Sequence, residues 1–503
     1  MAFRAPTRLI IEAGRGVASV KDSLSTLKKS KPLLLVDPGL SGAPWLENFR
    51  AGLNFATLPP DDIRAEANPR LENAYDIAAF CREKECDSIV AVGGGSAIDA
   101  AKAAAMLATN VSFSSPLQHS EKAETVRRFI GRNIFTTTPL PFIAVPTTCG
   151  TGSEVTWVSV LSDTVKKEKV SIKGDGMFPD CAVVDALLLR SLPPSILAAT
   201  AMDALTHAIE AAISARRNPA STALAHRAID LIFLHLPAAF LLYPPLNATE
   251  ATDPTSVPPC LSALAEASSL AGLAFSNADV GAVHCLSESL GGIWDVPHGL
   301  CNAVLLQPVV GYQLHKAGPG SDVSKILASI GRRLSSSLFH RLASDVVEGK
   351  AQKGGLKKSV FDQAGYERYL SHVLAAWPVQ GLGESMAQAG TEADDLEWAR
   401  GTVRAVGSLL RAVEIGQPKG KQKQRSATAE QGDKGAVQQT PQSPFVLGLQ
   451  KGGFGECCEA LAGPADTSID LVSRSAANNN SNESNPVKMN DKDYKRILRG
   501  LVS

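Results

Sequence analysis

In the stretch AMDALTHAIE, Asp203 and His207 stand four residues apart. On a helix that spacing puts a carboxylate and an imidazole on one face, a turn apart, where both can reach one cation. Alone the pair is a weak signal, because a histidine on an apolar helix is more often an ordinary hydrogen-bonded residue. A second segment, GAVHCLSESLGGIWDVPHGLCNAVLL (residues 281–306), supplies His284 within a helix-like run and His298 after Pro297, at the start of a further apolar helix. Three imidazoles and one carboxylate form a donor set that suits Fe(II) or Zn(II). An open position on such a metal would polarise an alcohol or carbonyl oxygen. The other histidines have no comparable pairing. His226, His235, His315, His340 and His372 read as ordinary helix residues, and His119 as part of a polar loop.

Two loops could hold a nucleotide. The run SIVAV (residues 88–92) passes directly into GGGSAIDAAKAAA (93–105). A strand, a glycine run and a helix start make an anion site, because helix N-terminal N–H groups point outward and glycine lets a pyrophosphate approach the backbone. Ser96 and Asp99, three apart, read as a capping box that starts the helix at the glycines, with Lys102 about a turn further on. The second loop, PTTCGTGSEVT (146–156), follows PFIAV and is rich in hydroxyl side chains. Asp37 ends the run PLLLVD; a carboxylate there can accept hydrogen bonds from an adenosine ribose and would repel a 2′-phosphate, favouring NAD over NADP.

These residues need a frame. Short apolar runs at 32–37, 88–92, 141–146 and 181–185, separated by helical stretches, predict a parallel sheet in an α/β domain. The segment LIIEAGRGV near the N-terminus reads as a further strand and a glycine turn. From Ser195 the pattern turns helical, with runs at 197–215, 222–236 and 261–276, which places a domain boundary at about residue 190. The two units are 1–190, a dinucleotide-binding α/β domain, and 191–503, a helical metal-binding domain. Three tracts read as additions: the proline-rich 243–259, the apolar-poor 416–444, whose composition predicts disorder, and the polar SAANNNSNESN at 475–485.

The bulk numbers narrow the partners. The chain has 503 residues, 44% hydrophobic and 20% charged, and a formal net charge of zero. Nothing in that balance points to nucleic acid or an anionic membrane, so a small molecule is the expected partner. Nine scattered cysteines without zinc-ribbon or redox spacing read as reduced thiols of a cytoplasmic protein. Arg4 and Arg8 would fit a mitochondrial transit peptide, but the fold begins almost at once after them. No window approaches twenty consecutive apolar residues, so no membrane span is expected.

Taken together, GGGSAIDAAK, PTTCGTGSEVT, AMDALTHAIE, AGLAFSNADVGAVH and VPHGLCNAVLL resemble the iron-containing, or group III, alcohol dehydrogenase family of the dehydroquinate synthase-like superfamily. The resemblance runs to about Tyr312 and resumes at SNPVKMNDKDYKRIL (484–498), which looks like the family's closing helix. It implies a Rossmann-like N-terminal domain, an all-helical C-terminal domain and an active site in the cleft between them. It implies that Asp203, His207, His284 and His298 ligate the metal, iron before zinc. Gly94, Gly95, Ser96 and Asp99 would line the pyrophosphate and ribose, and Thr147, Thr148 and Thr151 would contact the cofactor. Asp37 would meet the adenosine ribose with Asn68 in its neighbourhood, and Lys169 would lie near the nicotinamide ribose. The implied activity is NAD(P)-linked alcohol oxidation or carbonyl reduction, by hydride transfer to or from the nicotinamide, in a protein that can form a homodimer.

Two residues depart from the family pattern. Glu288 stands where many members carry a histidine four residues after the third ligand, and Cys149 replaces the usual alanine beside the nicotinamide loop. Three other functions share the scaffold. A keto- or hydroxy-acid reductase or transhydrogenase would need an arginine facing the metal. A glycerol or sugar-phosphate dehydrogenase would need a basic cluster for the substrate phosphate. A catalytically silent binding protein would show no hydride transfer.

Overall fold

The computed structural model describes residues 2–60, 63, 65–66, 68–113, 117–242, 257–336, 392–415 and 467–502. The expected insertion at 416–444, most of the one at 243–259, and His340 and His372 lie outside the described residues.

Five strands form the parallel sheet: β1 (Arg8–Ile11), β2 (Pro32–Val36), β3 (Ser88–Gly93), β5 (Phe142–Pro146) and β8 (Cys181–Val184), in the order β1-β8-β5-β3-β2. Side chains along a strand alternate between faces, and the two faces carry separate cores. Leu34, Val90, Val92, Ile143 and Val183 face α1 (Gly16–Thr26) and α2 (Leu46–Gly52). Leu33, Leu35, Ile89, Ala91 and Ala144 face α3 (Leu71–Glu83) and α4 (Gly95–Asn110). Burial on both sides explains why these strands read as unbroken apolar runs. His119 is not in a loop; it opens α5 (His119–Arg127), where Gln118 and Glu121 form a capping box.

A smaller sheet escaped the sequence reading. β4 (Gly131–Arg132), β6 (Val158–Asp163) and β7 (Glu168–Lys173) make a three-stranded sheet whose β6–β7 pair is antiparallel. In β7 buried Val170 and Ile172 alternate with Lys169, Ser171 and Lys173, and β6 places Ser159 and Asp163 on its buried face, so neither strand shows a long apolar run.

After β8 come a 3-10 turn, Ala186–Ser191, and then helices: α6 (Pro194–Ile213), α7 (Pro219–Leu242), α8 (Pro259–Ser276), α9 (Ala282–Trp294), α10 (His298–Ala317), α11 (Asp322–Leu334), α12 (Glu392–Ile415), α13 (Thr467–Ala477) and α14 (Asp491–Val502). They share one apolar core. By length and composition Pro194–Ile213 and Pro219–Phe240 could cross a membrane, but 83% and 67% of their respective windows are buried inside the fold. The polar tract at 475–485 is also not an appendage. Ser484 and Asn485 are buried, Ser484 Oγ donates to Asp279, and Gln313 Nε2 donates to Asn485 Oδ1 at 3.2 Å. Its buried side chains Ser481, Ser484 and Asn485 are hydrogen-bonded inside the helical domain, which composition alone does not show.

The two parts meet closely at glycines. Gly152 has φ +59°, and a Cβ there would lie 2.6 Å from the Cα of Gly272 on α8. Only glycine on both sides lets the second loop lie against that helix.

A candidate metal centre beside a nucleotide cradle

Three helices deliver the candidate metal donors. α6 carries Asp203 and His207 one turn apart, α9 carries His284, and α10 begins at His298 after Pro297. Ligand atoms of Asp203, His284 and His298 lie within 4.8 Å of one another. Asp203 Oδ1 is 3.9 Å from His284 Nε2 and 3.7 Å from His298 Nε2. His207 stands slightly apart from that trio, with Nδ1 3.9 Å from the same oxygen and its ring stacked on His284 and Phe275.

Two details fit a cation. His207 Nδ1 is buried and has no hydrogen-bond partner. The side-chain nitrogen of Asn302, one turn into α10, lies 2.6 Å from Asp203 Oδ1 and 3.1 Å from both His284 Nε2 and His298 Nε2. An amide has two hydrogens and meets three acceptors there, while its own Oδ1 is buried and unpaired. Acceptor lone pairs converging with too few protons between them are what a metal would relieve. Burial pushes His207 well below the ordinary imidazole range and His298 down to about 3, so both present neutral lone pairs. His284 goes the other way. Burial opposes its charge, yet the Glu210 carboxylate on Nδ1, together with the charges of Asp203 and Glu288, raises it.

Glu210 is the residue the sequence reading passed over. It sits on α6 one turn beyond His207 and is buried. It accepts hydrogen bonds from Gly281 N at 2.9 Å, Val283 N at 2.6 Å and His284 Nδ1 at 2.7 Å. A carboxylate on Nδ1 fixes the tautomer that leaves Nε2 free for a metal. Its partners lie 71 to 74 residues away, so only the three-residue offset from His207 could have hinted at it.

The two loops expected to hold a nucleotide pack on each other, and the second reaches the candidate metal donors through a hydrogen bond between the Gly150 backbone and His207. α4 starts at Gly95 with Gly94 as N-cap, and no side chain caps it. The expected Ser96–Asp99 capping box is therefore absent, which leaves first-turn N–H groups to a ligand. Asp99 instead accepts from Ser153 Oγ at 2.6 Å and Val160 N at 3.1 Å. Thr148 and Thr151 stand over the glycines: a Cβ on Gly94 would come within 3.1 Å of Thr148, and one on Gly95 would collide with Thr151. Thr147 N donates to Gly93 O. Ser96 Oγ accepts from Asn68 N at 3.3 Å. Asp37 caps the turn after β2 by accepting from Gly39 N at 2.9 Å, and its Cβ would lie 2.8 Å from one built on Gly93.

Asn68 and Lys169 close the far side. Lys169 Nζ donates to Asn68 Oδ1 and to Ser162 Oγ, each at 2.8 Å, and Asn68 Nδ2 donates to Asp295 Oδ1 at 2.8 Å across the cleft. Burial lowers Lys169, against the opposing pull of Asp295, Glu288 and Asp99. Glu288 lies one turn beyond His284, half-buried, and accepts from Asn479 Nδ2 at 2.6 Å. Cys149 is buried against Thr200, and burial pushes its thiol up to about 11, so it is an inert packing residue.

The iron-containing alcohol dehydrogenase family matches residues 6–186, and the C-terminal region of the Fe-containing alcohol dehydrogenase family matches residues 197–344. The chain belongs to the iron-containing alcohol dehydrogenase family. It is 39% identical to 1,3-propanediol dehydrogenase of Klebsiella pneumoniae over 306 residues, which is 59% of this chain and 72% of that protein. It is 31% identical to alcohol dehydrogenase 4 of Schizosaccharomyces pombe over 339 residues, 66% of this chain and 74% of that one. A crystal structure of 1,3-propanediol oxidoreductase superposes with a TM-score of 0.68 at 26% identity, covering 99% of each chain. The protein is thus a metal-containing, nicotinamide-linked oxidoreductase acting on CH–OH groups.

Proposed function

We propose that this dehydrogenase interconverts a small primary alcohol and its aldehyde, using NAD and a metal held by Asp203, His207, His284 and His298. One observation carries the reading: the four donors converge, and the second loop reaches them through a hydrogen bond between the Gly150 backbone and His207. When bound, the divalent metal supplies Lewis-acid polarisation of the substrate oxygen, and the nicotinamide supplies or takes the hydride. The chain's own residues do the rest. Glu210 orients His284, and the α4 N-terminus with Thr148 and Thr151 holds the nucleotide. The relatives named propanediol dehydrogenases support a short alcohol as substrate.

The test is elemental analysis of the purified protein with a screen of short alcohols, aldehydes and keto acids against both NAD and NADP forms. Treatment with a strong chelator is expected to remove more than about 90% of the activity while NADH fluorescence still reports binding, because metal and nucleotide occupy separate residues. Full activity in the metal-free sample would sink the assignment.

Asp37 gives a second expected result. Replacing it with glycine removes the carboxylate that repels a 2′-phosphate, so kcat/KM with NADPH rises by about 10-fold relative to NADH. An unchanged ratio would place the adenosine ribose elsewhere. We further place the enzyme in the cytosol, supported by seven buried free cysteines among the described residues. We infer a homodimer from the edge strand β1 with its exposed Ile11, to be checked by light scattering.

A further inference from the structure

Lys102 is one of the largest fully buried side chains of the fold, 2% exposed, on the second turn of α4. A lysine is rarely placed there, because removing an ammonium from water is costly unless it is paired. Its three ammonium protons are shared among four oxygens, Ser153 Oγ at 2.9 Å, Thr156 Oγ1 at 2.9 Å, Thr156 O at 3.0 Å and Val158 O at 2.9 Å. All four acceptors belong to the segment that leaves the second cofactor loop and enters β6. The same segment is tied to α4 by Ser153 Oγ on Asp99 and to α8 by Ser269 Oγ on Glu154 at 2.7 Å.

We propose that Lys102 is a positioning residue for the cofactor: its buried ammonium clamps the 147–158 loop onto the glycine helix and so fixes Thr148 and Thr151 over Gly94 and Gly95. This rests on the reading that the nucleotide lies in that cradle. The charges facing the ammonium are Asp99 from α4 and Glu154 from the turn at 153–155, with Lys169 of β7 acting on Asp99. Burial raises both carboxyls and lowers Lys102 to about 8. Losing the proton removes a donor and the positive charge between two acids, so the clamp loosens as pH rises through that value. Lys169 is shared by all variants, so any titration it adds is common to every curve.

NADH binding is measured by fluorescence on the full chain from pH 6.5 to 9.5, with amide hydrogen exchange of residues 147–158 followed in parallel. In wild type, affinity is expected to fall several-fold above about pH 8, whereas Lys102→Met binds about 10-fold more weakly at pH 7 and shows no such step. Its loop amides exchange faster while those of β3 and β5 do not. Should Lys102→Met fail to fold, Thr156→Val removes one acceptor and keeps the lysine; it is expected to weaken NADH about 3-fold with the same loop-confined exchange. Unchanged affinity and unchanged loop exchange in whichever variant folds overturn the proposal. Wild type that binds no NADH at any pH removes the cradle reading and the proposal with it.

Discussion

Replacing His298 with alanine is expected to lower kcat/KM by about a thousandfold or more while NADH still binds. The imidazole is the first residue of α10, and its Nε2 is 3.7 Å from Asp203 Oδ1, within the trio that converges most tightly. Burial keeps it neutral, so its lone pair faces no competing proton at ordinary pH. Without it the remaining donors must hold the cation with one fewer bond, and the electrophile that polarises the substrate oxygen is lost or misplaced. The thousandfold figure corresponds to roughly 4 kcal/mol, in the range ascribed to a Lewis-acid metal. His284→Ala should behave alike. Metal content by mass spectrometry and NADH fluorescence decide the matter: an active His298→Ala enzyme with full metal would remove His298 from the ligand set.

The parts of this design that could be read from sequence share a physical character. β2, β3, β5 and β8 are buried on both faces, so each announces itself as a run of Val, Leu and Ile. The glycines before α4 show because a backbone close to Thr148 and Thr151 tolerates no side chain. The β6–β7 pair was missed because one of its faces is half-exposed and its pattern is diluted. Ser96 and Asp99 have capping-box spacing, yet Asp99 finds better partners in Ser153 and Val160, a contact between segments more than fifty residues apart that no local rule registers. Asp203 and His207 were visible as a pair, but their meaning depended on His284 and His298.

Asn302 and Glu210 show why the surroundings of a site are harder to read than its ligands. Each is unremarkable in sequence, an asparagine in an apolar helix and a glutamate after a histidine. Each matters through partners brought in by another helix: Asp203 and His284 for Asn302, Gly281 and His284 for Glu210. The apolar packing of α6 against α9 and α10 sets those distances.

Glu210→Gln is therefore expected to weaken metal affinity by about 10- to 100-fold, although Glu210 touches no metal. Three donors converge on the native carboxylate. A glutamine offers one acceptor oxygen and turns an NH2 toward at least one of those donors. If the oxygen stays on the backbone N–H groups, His284 loses the anchor on Nδ1 and with it the bias that frees Nε2. Glu210→Ala strands both N–H groups as well, at about 1–3 kcal/mol each for a buried donor, so it should also lower the melting temperature. Competition with a chromophoric chelator separates the two effects. Stability lost equally in both variants with metal affinity unchanged would mean that Glu210 only braces α9. A Gln variant that folds normally but holds metal weakly would mean that its carboxylate tunes the ligand itself.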